Sequence, residues 1–354
     1  MPSSIVELRS DTFTTPTAAM TAAMVAAPLG DDVYGEDPTV RALEERSADL
    51  LGKQDGCLVP SGTMANLAAV MTHAPRGTSI FAGRESDIYA YEAHGMSVVG
   101  GLAMEPIETD EHGRLREDSL LAALPEDHGD PQFAIPAVVS LENTANRAGG
   151  VPLTVAEVAD VARFARRHGM RFHLDGARIF NAAVALGVDP AVLVASADSV
   201  QFCLSKGLAA PIGSVVVGSA EFINGVRRIR KMLGGGMRQA GVVAAAGLVA
   251  LDTMIDRLAE DHANAATLAA GLAILPGVEV EPVRLRTNMV RFRLTGSLTH
   301  AEFIEATGRQ GVRLAELGHG VLRAVTHNDV DATDIARALS VMGSVLRESV
   351  PVLV

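Results

Sequence analysis

Apolar positions along the first two thirds of the chain follow two different periods. Residues 39–51, 62–71 and 155–167 repeat their apolar side chains at spacings of three and four, as one face of a helix requires. Residues 137–141, 171–174, 200–203 and 213–217 are short apolar runs, the pattern of strands buried on both faces. Such alternation predicts an α/β architecture, a mostly parallel sheet covered by helices. A long helical pattern over 240–273 follows, and the texture then changes. Stretches 277–280 and 289–294 read as strands, and 301–310 and 331–347 as helices. The expectation is a large domain over 1–245 and a smaller C-terminal α+β domain over 246–354, with the boundary inside the long helix. No internal repeat, low-complexity tract or linker interrupts this plan.

Composition narrows the partners more than the fold. Aromatic residues are only 4% of the chain, so the core is built from Ala, Val and Leu. A formal charge of −12 argues against nucleic acid, whose phosphates demand a basic face. Two cysteines, Cys57 and Cys203, are too few for a disulfide framework or a zinc site, and both sit in apolar runs as buried thiols. No metal site is expected. The N-terminus lacks the pattern of a signal peptide, and no apolar stretch is long enough to span a membrane, so a cytoplasmic protein is expected.

The candidate chemistry stands at strand ends. The run Phe172-His173-Leu174 leads straight into Asp175-Gly176-Ala177-Arg178, and residues 200–203 lead into Leu204-Ser205-Lys206-Gly207. On a parallel sheet, groups just beyond the strands stand where ligands gather. Alone, Asp175 reads as a helix cap and Lys206 as a surface lysine. Together they meet two needs of pyridoxal phosphate: a lysine to form the imine, and a carboxylate to keep the pyridine nitrogen protonated. Ser61-Gly62-Thr63 opens a helix whose free N–H groups and hydroxyl suit a phosphate, although a plain N-terminal cap looks the same. Gly234-Gly235-Gly236 lies between Lys231 and Arg238 and suits close backbone approach to a ligand or a subunit.

In this order the motifs resemble the low-specificity threonine aldolases, within the fold-type-I pyridoxal-phosphate enzymes. The resemblance runs from Glu7-Leu8-Arg9-Ser10-Asp11-Thr12, through Gly30-Asp31-Asp32-Val33-Tyr34-Gly35 and the segments above, to Arg323-Ala324-Val325-Thr326-His327. It implies an aspartate-aminotransferase-like large domain and reversible cleavage of a β-hydroxy-α-amino acid to glycine and an aldehyde. It further implies Lys206 as the Schiff-base lysine, Asp175 on the pyridine nitrogen, and Gly62 and Thr63 on the phosphate. Ser10, Arg178 and Arg323 are implied on the substrate carboxylate, with Arg178 also near the cofactor. Tyr34, Lys231 and Arg238 are implied to complete a neighbouring subunit's cofactor and substrate site, in a tetramer of paired dimers.

The departures fall on histidines. Where the family stacks a histidine on the cofactor ring, this chain has Asp87; His94 replaces the first of two glycines; and Ala145 stands where Glu-Asn-Thr-His-Asn is usual. Another active-site histidine of some members aligns loosely with Gln132. A carboxylate cannot stack as an imidazole does, but it can serve as a general acid or base. The alternative for Asp87 is a helix cap; a spacing of seven puts His94 on the same helical face, toward Asp87 or the pocket, with a solvent-facing histidine as the other reading. These changes leave the cofactor machinery in place and keep a second outcome open: β-elimination, β-replacement, racemisation or transamination. Carboxylates around Asp31 and Asp37 also leave a bound cation open.

Overall fold

In the computed structural model, residues 5–127, 129–318 and 320–348 are described. Residues 1–4, part of the stretch read for a signal peptide, lie outside them. The larger sheet has seven strands in the order Asp55–Val59, Ser214–Gly218, Ser199–Cys203, Arg171–Asp175, Pro136–Glu142, Ser79–Gly83 and Ala103–Ile107. Ser214–Gly218 runs antiparallel to both neighbours, and the other pairs are parallel. The apolar runs are unbroken because helices cover both faces: Phe172, Leu174, Val200 and Phe202 are inaccessible to solvent.

Local signals explain where helices begin. Val155–Arg167 starts at a capping box, Thr154 accepting from Glu157 N while the Glu157 carboxylate accepts from Thr154 N. It buries Val158, Val161, Ala162, Phe164 and Ala165, and ends with Arg166 and Arg167 where the helix dipole favours cations. Gly62–His73 starts at Ser61, whose hydroxyl accepts from Met64 N.

A second sheet, antiparallel in the order Ala315–Gly318, Val321–Val325, Met289–Leu294 and Val278–Val280, packs with helices Leu258–Ala273, His300–Arg309 and Ala332–Glu348. The long helical pattern proves to be two helices, Gly241–Thr253 and Leu258–Ala273. Periodicity carries through the break because both helices bury one apolar face, the first on the larger core and the second mainly on the smaller. Val6 and Leu8, from the N-terminus, also belong to the smaller core, since Val6–Glu7 pairs with Val312–Arg313. Among the described residues, no helix is long and apolar enough to cross a membrane.

Candidate active site

A cavity of about 330 Å³ opens beyond the carboxyl ends of the central strands. Lys206, Asp175, Asp87, Gly62 and Thr63 all line it, with Asn66, Tyr91, Glu92 and Gln201. The chain has three lysines. Lys53 gives its Nζ to the carbonyls of Val194 and Ala197, and Lys231 is exposed, so Lys206 alone faces this cavity. Among the described residues, none hydrogen-bonds the Lys206 Nζ. Burial works against its charge, but Cys203, then Asp11 and Asp87, hold the ammonium above its ordinary value against the repulsion of Arg178.

Sheet register explains how Asp175 is held. Side chains two apart on a strand share a face, so His173 and Asp175 point the same way, beside Ser199 and Gln201 of the next strand. Asn66 and His73, seven apart on the covering helix, face them. The result is a buried chain. His73 Nε2 and His173 Nδ1 each lie 2.8 Å from Ser199 Oγ, and His173 Nε2 lies 3.0 Å from Asn66 Oδ1. Asn66 Nδ2 then donates to Asp175 Oδ2 at 2.8 Å, while Asp175 Oδ1 accepts from Ala177 N at 3.1 Å and from Gln201 Nε2. Three donors on one carboxylate favour its charged form. His173 and Gln201 had a legible signal, since a polar side chain inside a buried strand must find partners. Their partners were not legible.

Burial holds both histidines down at about 3, helped at His73 by His173, whereas unfolded histidine titrates near 6.5. The unfolded chain therefore takes up these protons first. Stability is full above about pH 6.5 and is lost as pH falls toward 3. Melting temperature measured across that window should decline, and less steeply in His173→Asn. Equal slopes would detach the buried chain from the acid response.

Asp87 is the first residue of a single helical turn, Asp87–Ala90, whose N-cap is Ser86. Its carboxylate is not used in capping: Oδ1 accepts from Asn146 Nδ2 at 3.2 Å. Glu142 sets the backbone around it, accepting from Asp87 N at 2.9 Å and Asn146 N at 2.8 Å. Burial, and then the charges of Asp87 and Asp175, push the Glu142 carboxyl well up. Asn146 also accepts from Arg323 Nη1, so one amide joins Asp87 to Arg323. Arg323 Nη2 donates to Arg9 O at 3.0 Å, and its buried Nε has no partner among the described residues. Ser10 caps the Asp11–Phe13 turn and accepts from Thr12 N.

Several expectations change. Arg178 does not present its fork to the cavity: Nε and Nη2 hold the buried Asp11 at 2.7 and 2.6 Å. Asp11, part of a motif but given no role above, keeps its charge because Arg178 offsets its burial. The shared face of Asp87 and His94 does not exist, because the turn ends at Tyr91. Ala93 and His94 instead take left-handed backbone, and His94 is exposed, its ring edge-on to Tyr89. Gln132 is exposed and donates to Asp130. Ala145 is buried beside a second cavity, not in the cofactor cavity. Tyr34, Lys231 and Arg238 are exposed and outside this cavity, with Arg238 paired to Asp31 at 2.9 Å. The close approach at the triple glycine is to the chain itself, since a Cβ on Gly235 would strike Met64. Asp37 accepts from Gly30, Thr39, Val40 and Gly241 backbone N–H groups, so its oxygens are occupied. Burial raises both cysteine thiols, Cys57 to about 12, against the pull of Lys206 at Cys203.

This donor set fits pyridoxal phosphate. An unbonded lysine amine and a triply bonded carboxylate share one cavity, and at its rim Gly62 opens a helix where a Cβ would come within 3.0 Å of Cys203 Sγ. The β-eliminating lyase family model matches residues 7–295. Low-specificity L-threonine aldolase 1 of Arabidopsis thaliana is 43% identical over 338 residues, covering 95% of this chain and 94% of that one. The low specificity L-threonine aldolase of Escherichia coli K12 is 41% identical over 332 residues, covering 94% and 96%. A solved threonine aldolase of Leishmania major superposes with a TM-score of 0.81 at 19% identity, covering 96% and 99%, a likeness of fold. The fold and cavity are those of a fold-type-I pyridoxal-phosphate enzyme. The chain belongs to the β-eliminating lyase family, among its low-specificity threonine aldolases, and is a pyridoxal-phosphate-dependent lyase.

Proposed function

We propose that this chain reversibly cleaves a β-hydroxy-α-amino acid, such as L-threonine or L-allo-threonine, to glycine and an aldehyde. The observation that carries the reading is Lys206 and Asp175 in one cavity, with Asp87 on its wall tied through Asn146 to Arg323. When bound, pyridoxal phosphate supplies a sink for the electron pair released at the substrate Cα. The remaining tasks fall to side chains. Lys206 Nζ would anchor the cofactor and, as the base nearest Cα, would carry protons to and from that carbon. Asp175 holds the proton on the ring nitrogen. Gly62 N–H and the Thr63 hydroxyl bind the phosphate. Arg323 and Ser10, neither in the cavity's lining but Arg323 joined to Asp87 on its wall through Asn146, bind the substrate carboxylate, while Arg178 is held by Asp11. Asp87 removes the β-hydroxyl proton, and breaking Cα–Cβ then leaves the aldehyde.

The reading is tested by incubating the protein with L-threonine, L-allo-threonine, phenylserine and L-serine. Glycine with aldehyde supports it. Keto acid with ammonia, or exchange of the Cα proton, supports the second reading, which Asp87 keeps open: another bond at Cα is broken. No reaction across the panel would leave a binding protein. Arg323→Ala should weaken substrate binding by about 2–5 kcal/mol, the cost of stranding a buried carboxylate, with cofactor binding largely kept. Equal loss of both affinities would make Arg323 a support of the fold.

The assembly belongs to the same proposal: a homotetramer in which Tyr34, Lys231 and Arg238 complete a neighbour's site. Tyr34 is 76% exposed, Val25 86% and Met232 62%, large apolar side chains left open to a partner. Among the described residues, Lys206 is the sole Lys or Arg lining the cavity, whereas a phosphate calls for more positive charge. Arg238→Ala should therefore weaken cofactor binding although its own chain's cavity is untouched. A cytoplasmic location suits two buried free cysteines. The division into residues 1–245 and 246–354 is kept as a proposal, with residues 246–254 assigned by their packing to the larger unit and Val6 and Leu8 to the smaller.

A further inference from the structure

The cavity holds one more carboxyl group than this chemistry uses. Glu92 is nine-tenths buried and lines the cavity, and its Oε1 accepts from Asn66 Nδ2 at 2.8 Å. The same amide nitrogen donates to Asp175 Oδ2, also at 2.8 Å. Asn66 cannot turn over without loss, because its Oδ1 faces His173 Nε2. One amide thus straddles two carboxyl groups in a buried site, where two like charges repel strongly and one proton is retained. Asp175 has three donors and is the member that keeps the charge. Among the described residues, Glu92 has one donor and its buried Oε2 has no partner.

We propose that Glu92 is a neutral carboxylic acid whose Oε2–H donates a hydrogen bond to the ring oxygen of bound pyridoxal phosphate. The inference rests on the reading that this cavity holds that cofactor. With the ring nitrogen facing Asp175, the acceptor left on the ring itself is its 3-oxygen, so a donor beside Asp175 is matched to it. The titratable groups around Glu92 are Asp175 on the sheet, Asp87 and Tyr91 on its own segment, Glu142 behind Asp87 and Lys206 across the cavity. Burial first, then the charges of Asp175 and Asp87, raise the Glu92 carboxyl to about 9, against the pull of Asn66 and Lys206. Glutamine keeps a donor at this position; leucine keeps the volume and removes the donor.

The test compares wild type, Glu92→Gln and Glu92→Leu by pyridoxal-phosphate affinity across pH, by the cofactor's visible band, and by infrared detection of a protonated carboxyl in the apoprotein. At about pH 7, Glu92→Gln should bind nearly as wild type and keep the band position, whereas Glu92→Leu should bind about 3- to 10-fold more weakly with a shifted band. As pH passes through about 9, wild-type affinity should fall, because ionisation removes the donor and adds a charge beside Asp175. Glu92→Gln should lack that fall; Lys206 titrates in both proteins, so the difference isolates Glu92. The infrared band should be weaker in Glu92→Gln. Glutamine failing as badly as leucine, or a carboxylate ionised at neutral pH, would overturn the proposal. If wild type binds no pyridoxal phosphate, the cofactor reading fails instead, and the infrared band still decides whether Glu92 is neutral.

Discussion

Lys206→Ala is expected to fold normally and to carry no borohydride-fixed pyridoxyl group, whereas wild type carries one per chain on Lys206. The reason is competition among only three lysines. Lys53 is committed to backbone carbonyls and Lys231 lies outside the cavity, which leaves Lys206. Loss of its amine also removes the proton carrier at Cα, so turnover should drop at least about 10²–10⁴-fold. The Lys206 ammonium must shed its proton before the nitrogen can attack. Its raised pKa therefore predicts that cofactor loading of the apoprotein quickens as pH rises. Mass spectrometry of the reduced, digested protein reads the attachment. A pyridoxyl group on Lys53 or Lys231 of wild type would refute the assignment.

The second large effect is expected at Asp87. Asp87→Asn should lower turnover by about 10²–10⁴-fold with cofactor binding intact, because the amide cannot take the β-hydroxyl proton. Asparagine preserves the size of the side chain and can still meet Asn146, so geometry is a poor explanation for such a loss. Had Asp87 served as a helix cap, asparagine would replace it freely and alanine would cost about 1 kcal/mol of stability. Ser86 holds the cap position instead. Asp87→His should move activity toward simple threonine cleavage, and only in part, because Ala145 and His94 still differ from the family. Turnover and melting temperature of the asparagine and alanine variants decide the matter: unchanged turnover in Asp87→Asn removes the catalytic role.

Of the two readings of His94 the solvent-facing one holds, and the face shared with Asp87 fails for an identifiable reason. A spacing of seven places two residues on one face only if the helix continues between them, and here left-handed Ala93 and His94 interrupt it. The pattern over 240–273 misleads in the same way. A four-residue break leaves the apolar period nearly in phase, so two helices on different cores read as one. Arg178 is a third case. Its place after a strand near Asp175 was legible, but its commitment to Asp11 pairs residues far apart in the chain.

What the amino-acid order determined by itself was whatever depends on neighbours within a few positions. That covers the alternation of buried strands with amphipathic helices, the caps at Ser61 and Thr154, and the delivery of Asp175 and Lys206 to strand ends. Tertiary structure decided which polar groups meet. Sheet register set His173 beside Ser199 and Asp175 beside Gln201, and the covering helix brought Asn66 and His73 to them. Packing also put Glu92 and Asp175 on one amide, and Asp87 on the amide that holds Arg323. The physical reason is that apolar periodicity is a local consequence of backbone geometry. A buried hydrogen bond or ion pair instead depends on partners whose approach is set only when the whole core closes.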